Sequence, residues 1–223
     1  MPLNGIRVIE FCHMVMGPTC GMILGDLGAD VIKVEPLSGD STRQLEHDGA
    51  GFFASYNRNK RSIALDLKSP KGLEVAKKLA ITADVVIENF RPGALEKLGL
   101  GYKELSKSNS GLIYCSLKGF LEGPYSNRTA LDEVVQMMAG LAYMTGPEGR
   151  PLRAGASVID IMGGMFGVIG IQAALANRAR TGKGQEVTAA LYETTVHVVA
   201  QHMLQFAATG VPSGPMPDSP RAW

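Results

Sequence analysis

A strand–helix–strand rhythm through the first half of the chain limits the fold more than any other feature. Short runs rich in Val and Ile recur at Arg7–Phe11, Asp30–Glu35, Asp84–Glu88 and Leu112–Leu117. Each has the length and β-branched content of a strand. Between the first two, Gly17-Pro18 opens a helix that runs through Leu27 and stops at Gly28. Ser69-Pro70 opens another, Lys71 to Ala83, with Ser69 as N-cap and Pro70 at the first helical position. Strands separated by helices imply a parallel sheet covered on both faces, an α/β, Rossmann-like fold. Right-handed crossovers then place the loops that follow the strands along one edge, where ligands bind.

The second half reads as more helical. Leu131–Met144 and Ile161–Arg180 read as helices, Thr181–Gln185 as a turn, Glu186–Ala190 as a short strand and Tyr192–Thr209 as a last helix. Residues 211–223 hold four prolines and end on the lone Trp223, which reads as a linker. The expected organisation is one large domain over residues 1–210, then a Pro-rich linker, 211–223, toward a second, smaller domain.

Composition removes several classes of function. The 22 basic and 21 acidic residues nearly cancel, so bulk charge argues for neither nucleic acid nor membrane as partner. Cys12, Cys20 and Cys115 show neither a disulfide framework nor a zinc spacing. Cys12 and Cys20 fall at a strand end and in a helix, as buried thiols would. With no signal-peptide pattern at Met1–Gly5, this points to a reducing, cytoplasmic setting. The most apolar stretch, Ile159–Ala176, contains Asp160, Gln172 and several glycines, and reads as a buried, glycine-packed helix rather than a membrane span.

Chemistry concentrates in the post-strand loops. His13–Pro18 follows the first strand, Gly39–Arg43 the second, Glu88–Gly93 the third and Ser116–Phe120 the fourth. Asn57–Ser62 is a dense basic cluster beside Phe52, Phe53 and Tyr56. It suits phosphates and a stacked base, or else it is a solvated loop. Arg43, Arg91 and Lys118 with these rings are what a large anionic, nucleotide-like ligand requires. Neither glycine fingerprint of dinucleotide or P-loop sites is present, which disfavours an NAD-dependent enzyme. His13 taken alone reads more often as a strand-end histidine held by backbone. Asp160, between the small residues Gly155–Ser157 and an apolar helix, is either a structural N-cap or a partly desolvated nucleophilic carboxylate.

Several segments together carry a family resemblance. Gly28–Glu35, Asn59-Lys60-Arg61-Ser62, Asp66-Leu67-Lys68, Glu88–Gly93 and Thr181–Gln185 occur in the order and spacing seen in class III CoA-transferases. That family includes the formyl-CoA:oxalate and carnitine CoA-transferases and, by descent, the alpha-methylacyl-CoA racemases. The resemblance covers about residues 3 to 210. It implies a transferase moving CoA from an acyl-CoA to a free carboxylic acid, with acyl-CoA and a small carboxylic acid as its partners. The family's nucleophilic aspartate falls on Asp160, which would pass through a mixed anhydride and an aspartyl-CoA thioester. The supporting glutamate falls on Glu133. CoA contacts fall on His13, Met14, Val15, Met16, Leu65, Lys68, Asn89, Phe90, Arg91 and Lys97. No metal and no permanently bound cofactor is implied; coenzyme A is a substrate. Full-length relatives are roughly twice this length and form interlocked homodimers, so a second domain is expected beyond this chain.

Two departures bear on substrate. Val15 stands where formyl-CoA transferases have Gln, and Pro36 where they have Arg; Val15 removes an amide that would help hold the acyl intermediate, which argues against formyl-CoA or oxalate. The racemases have a His directly before the residue matching Asp132, where this chain has Leu131. A two-base racemase lacks one of its bases here. The alternatives to a transferase are thus a racemase of the same fold and a non-catalytic CoA-binding subunit.

Overall fold

The computed structural model describes residues 1–216; residues 217–223 of the expected linker, Trp223 included, lie outside the described residues. The strands are β1 Arg7–Phe11, β2 Asp30–Glu35, β3 Lys60–Ala64, β4 Val85–Glu88, β5 Ile113–Lys118 and β6 Glu186–Ala190. They form one parallel sheet in the order β3-β2-β1-β4-β5-β6. The helices are α1 Met16–Asp26, α2 Phe52–Asn57, α3 Pro70–Ile81, α4 Tyr102–Ser108, α5 Asp132–Met138, α6 Leu141–Thr145, α7 Val158–Thr181 and α8 Leu191–Thr209.

The period-two alternation of strands sorts side chains into two cores. Val8, Val85, Ile87, Ile113, Cys115 and Leu117 point to one face and pack with α1 and α7. Ile9, Phe11, Val86 and Tyr114 point to the other and pack with Ala76, Ala80 and Leu105 of α3 and α4. Cys12, Cys20 and Cys115 are all buried, as expected for the first two. Ser69 caps α3 by accepting from the Gly72 N–H at 3.1 Å, and Pro70 follows at its first position.

The structure differs from the sequence reading in several elements. The expected helix Leu131–Met144 is two short ones, because Gly140 adopts φ +92° and turns the chain between α5 and α6. The basic segment Asn57–Ser62 is not a loop: its second half is edge strand β3, paired to β2 from Lys60 to Ala64. The short helices α2 and α4 were not expected. Among the described residues, α7 is long and apolar enough to cross a membrane, but its glycine face is packed on α1. A Cβ at Gly164 would lie 2.6 Å from the Met16 carbonyl oxygen, so only glycine permits the two backbones to approach this closely.

Candidate active site

The strand order fixes where a ligand fits. From β1 the chain winds outward to β2 and β3, then returns to β4 on the other side of β1. By that topology the loops after β1 and β4 lead to opposite sides of the sheet, and a ligand is expected at the carboxyl edge beside them. His13–Met16 follows β1, and Asn89–Arg91 follows β4. The two loops are tied by a reciprocal pair of hydrogen bonds: the His13 N–H donates to Asn89 Oδ1 at 3.0 Å, and Asn89 Nδ2 donates to the His13 carbonyl at 2.8 Å. The imidazole lies 5.4 Å from the Phe90 ring. Met14 holds φ +63°, a left-handed conformation that a non-glycine residue adopts at some cost. Val15 and Met16 are buried at the start of α1.

Leu65 and Lys68 follow β3, and Lys97 lies in a 3-10 turn, Glu96–Leu98, after β4. Lys68, Arg91 and Lys97 are exposed, while Leu65 packs against the outer core. All ten residues assigned to CoA by resemblance thus lie beyond the carboxyl ends of β1, β3 or β4.

Other cations expected to face a ligand are paired within the fold. Arg43 makes a forked pair with Glu35, Nε to Oε2 at 2.8 Å and Nη2 to Oε1 at 2.7 Å, and stacks over Phe53. That guanidinium, first among several donors including Ser62 and the Asp40 N–H, holds the Glu35 carboxyl at about 2. Lys118 pairs with Glu88 and donates to the Phe90 carbonyl at 2.8 Å. The basic cluster is likewise engaged: Arg58 with Asp26, Arg61 with Asp30, and buried Lys60 with Glu10 at 2.7 Å. Lys33, also buried, bridges Glu10 at 3.2 Å and Asp40 at 2.8 Å and donates to the Cys12 carbonyl at 2.7 Å. This network braces the start of the His13 loop.

Asp160 lies in the first turn of α7; the N-cap position belongs to Ser157, whose side chain makes no capping bond. The cap comes from outside the helix. Asp132, at the start of α5 and 4% exposed, accepts on Oδ2 from the Ile159 N–H at 2.8 Å and the Asp160 N–H at 3.1 Å. Its Oδ1 accepts from Gln136 Nε2, and Gln136 Oε1 accepts from the Ala154 N–H at 2.8 Å. Glu133 turns outward and pairs with Arg153 at 3.0 Å. Burial, then the charges of Asp132 and Glu133, push the Asp160 carboxyl up to about 7, with Arg153 opposing. Tyr56 of α2 stands in the same field: burial, then the Asp160 charge, raise its phenol. Gly163, less than one turn from Asp160, faces the Met16 side chain, so the first turns of α7 and α1 meet. A carboxyl poised near neutrality and poorly solvated when ionised is equipped for nucleophilic or acid–base work.

The sequence reading assigns Asp132 and Gln136 no part in the site, and Tyr56 a part only as a ring beside the basic cluster. The i,i+4 spacing of Asp132 and Gln136 hinted at a paired face. The cap they provide spans 28 residues and has no local signature.

Comparison with known proteins agrees with this architecture. A succinate–glutarate CoA-transferase of Agrobacterium fabrum is 44% identical over 224 residues, covering 95% of this chain and 56% of that protein. A formyl-CoA:oxalate CoA-transferase of Rhodopseudomonas palustris is 44% identical over 202 residues, covering 88% of this chain and 48% of that protein. The chain therefore spans about half the length of the curated relatives it matches. The crystal structure of a CAIB/BAIF family protein from Brucella suis superposes with a TM-score of 0.92 at 42% identity, over 97% of this chain and 60% of that one. A profile described as CoA-transferase family III matches residues 3–222. From the sheet order, the site at its edge and a match that runs nearly end to end, the chain belongs to CoA-transferase family III.

Proposed function

We propose that this chain supplies the CoA-binding surface and the nucleophile of an acyl-CoA:carboxylate CoA-transferase, with Asp160 as the attacking group. What carries the reading is the place of Asp160, part-buried in the first turn of α7 beside Asp132 where Gly163 of the same helix packs on Met16, a setting that pushes its carboxyl up to about 7. Once ionised among Asp132 and Glu133 it is poorly stabilised, which makes an otherwise weak nucleophile reactive. Its oxygen attacks the thioester carbonyl; the C–S bond breaks and CoA leaves as the thiolate. The thiolate attacks the Asp160 carboxyl carbon of the resulting anhydride and releases the donor acid. The acceptor carboxylate then displaces CoA from the aspartyl thioester, and thiolate attack on the acceptor's acyl carbon restores Asp160. His13–Met16, Leu65, Lys68, Asn89, Phe90, Arg91 and Lys97 hold CoA in this scheme, and Glu133 supports the acyl site. Every step is an acyl exchange between oxygen and sulfur, so the scheme uses no metal or redox cofactor.

The names of the relatives, for succinate, glutarate and oxalate, support a small dicarboxylic acid as acceptor. Val15 favours the succinate–glutarate side of that choice. A homodimer completed by a further domain, working in the cytoplasm, is part of the same proposal. The test is intact mass after mixing with a panel of acyl-CoA thioesters that includes succinyl-CoA, beside Asp160→Ala. An acyl or CoA adduct on the unmodified chain alone is the expected result. An equal adduct on Asp160→Ala would overturn the assignment.

A further inference from the structure

Arg153 is the cation whose charge acts on the nucleophile, and the scheme above gives it no role. It lies in the segment leading into α7, next to Ala154, whose N–H is held by Gln136 of the Asp132 cap. One guanidinium nitrogen, Nη1, bonds Glu133 at 3.0 Å, and Nε donates to the Ala154 carbonyl at 3.1 Å. Both partners of the ion pair stand open to solvent, with side chains 42% and 49% exposed. An exposed pair of this kind is held weakly, so one carboxylate readily takes the place of another on Arg153.

The charges around the site make such an exchange useful. Asp132 and Glu133 lie beside Asp160, giving three carboxylates with Arg153 as the cation acting against them. An anionic acceptor entering this field is repelled unless a cation receives it. A planar guanidinium offers a fork of donors matched to a carboxylate, and two of its nitrogens are already directed by Glu133 and the Ala154 carbonyl. Other cations near the sheet edge, Lys33, Lys60, Arg43 and Lys118, are committed to carboxylates inside the fold.

We infer that Arg153 is a specificity-determining residue that takes the distal carboxylate of a dicarboxylic acid, trading Glu133 for the substrate while the other carboxylate reacts at Asp160. This rests on the transferase reading above. Glu133 then acts as a place-holder, keeping the guanidinium oriented between substrates.

The experiment compares Arg153→Gln with the unmodified protein, using succinate and glutarate against butyrate and valerate as acceptors. Each pair has one chain length and differs by one carboxylate. The expected result is a kcat/KM for the dicarboxylates that falls further than that for the monocarboxylates by about 10- to 100-fold, the range of a charged hydrogen bond. Arg153→Lys, which keeps the charge and loses the fork, should recover part of the difference. Equal falls for both classes would refute this role while leaving the transferase reading intact. If the unmodified protein transfers CoA to neither class and Asp160 takes no adduct, both readings fail together.

Discussion

Replacing Asp160 by asparagine should make the protein more stable in alkali and leave it unchanged in acid. The side chain keeps its volume and loses its charge. In the fold the Asp160 carboxyl titrates at about 7, against 3.8 for an ordinary aspartate. Between those values the native chain holds a proton that the unfolded chain has released, so stability falls as pH rises through this window. Above it the ionised Asp160 costs the fold about 4 kcal/mol, and below the ordinary value it costs nothing. Asparagine removes that cost, so the expected gain is about 4 kcal/mol in the plateau above about pH 7. Urea unfolding of both proteins across the window measures it directly. The difference between them should be near zero at about pH 3, climb through the window and level off. A difference that is flat with pH, or complete by about pH 5, would show that Asp160 is an ordinary surface carboxylate and would remove the ground for its reactivity.

Three further outcomes follow from particular contacts. Asp132→Asn retains an acceptor for the Ile159 and Asp160 N–H groups but removes the foremost charge acting on Asp160. The acid limb of adduct formation should move down by about 1 to 2 pH units; an unmoved limb would mean that the Asp132 charge does not act on the nucleophile. Asn89→Ala breaks both hydrogen bonds that tie the His13 loop to the loop after β4, and calorimetric titration should show CoA binding weakened by about 10-fold. Unchanged affinity would place CoA elsewhere. Gly164→Ala puts a methyl group against the Met16 carbonyl and should cost about 1–3 kcal/mol in urea unfolding. Gly155→Ala, where a Cβ meets nothing within 4 Å, is the control.

Much of the scaffold was legible along the chain because its signals are local. β1 and β2 have the bounds read from their Val and Ile runs, and the Ser69-Pro70 start of α3 was visible as a cap followed by a preorganised residue. β3 was not visible. Lys60-Arg61-Ser62 carries no apolar run, since an edge strand protects itself with charge, and charge on a strand reads like a loop. The expected helix over 131–144 broke at Gly140, where positive φ was the deciding property and apolar periodicity gave no warning.

The candidate site divides along the same line. That an aspartate stands at the opening of a long apolar helix is a fact of sequence order, and so is the placement of His13 and Asn89 after strands. Which charges remain available was decided by tertiary structure alone. Lys33 and Lys60 turn inward to Glu10, and Arg43 is spent on Glu35, because a buried carboxylate at a strand end must find a cation wherever the chain brings one. Asp132 reaches the first turn of α7 across 28 residues, and that contact, with burial, turns Asp160 from an N-terminal acid into one poised near neutrality. Hydrophobic periodicity and capping act over a few residues and are written in the sequence; desolvation and Coulomb fields act through space, so only the folded chain sets them.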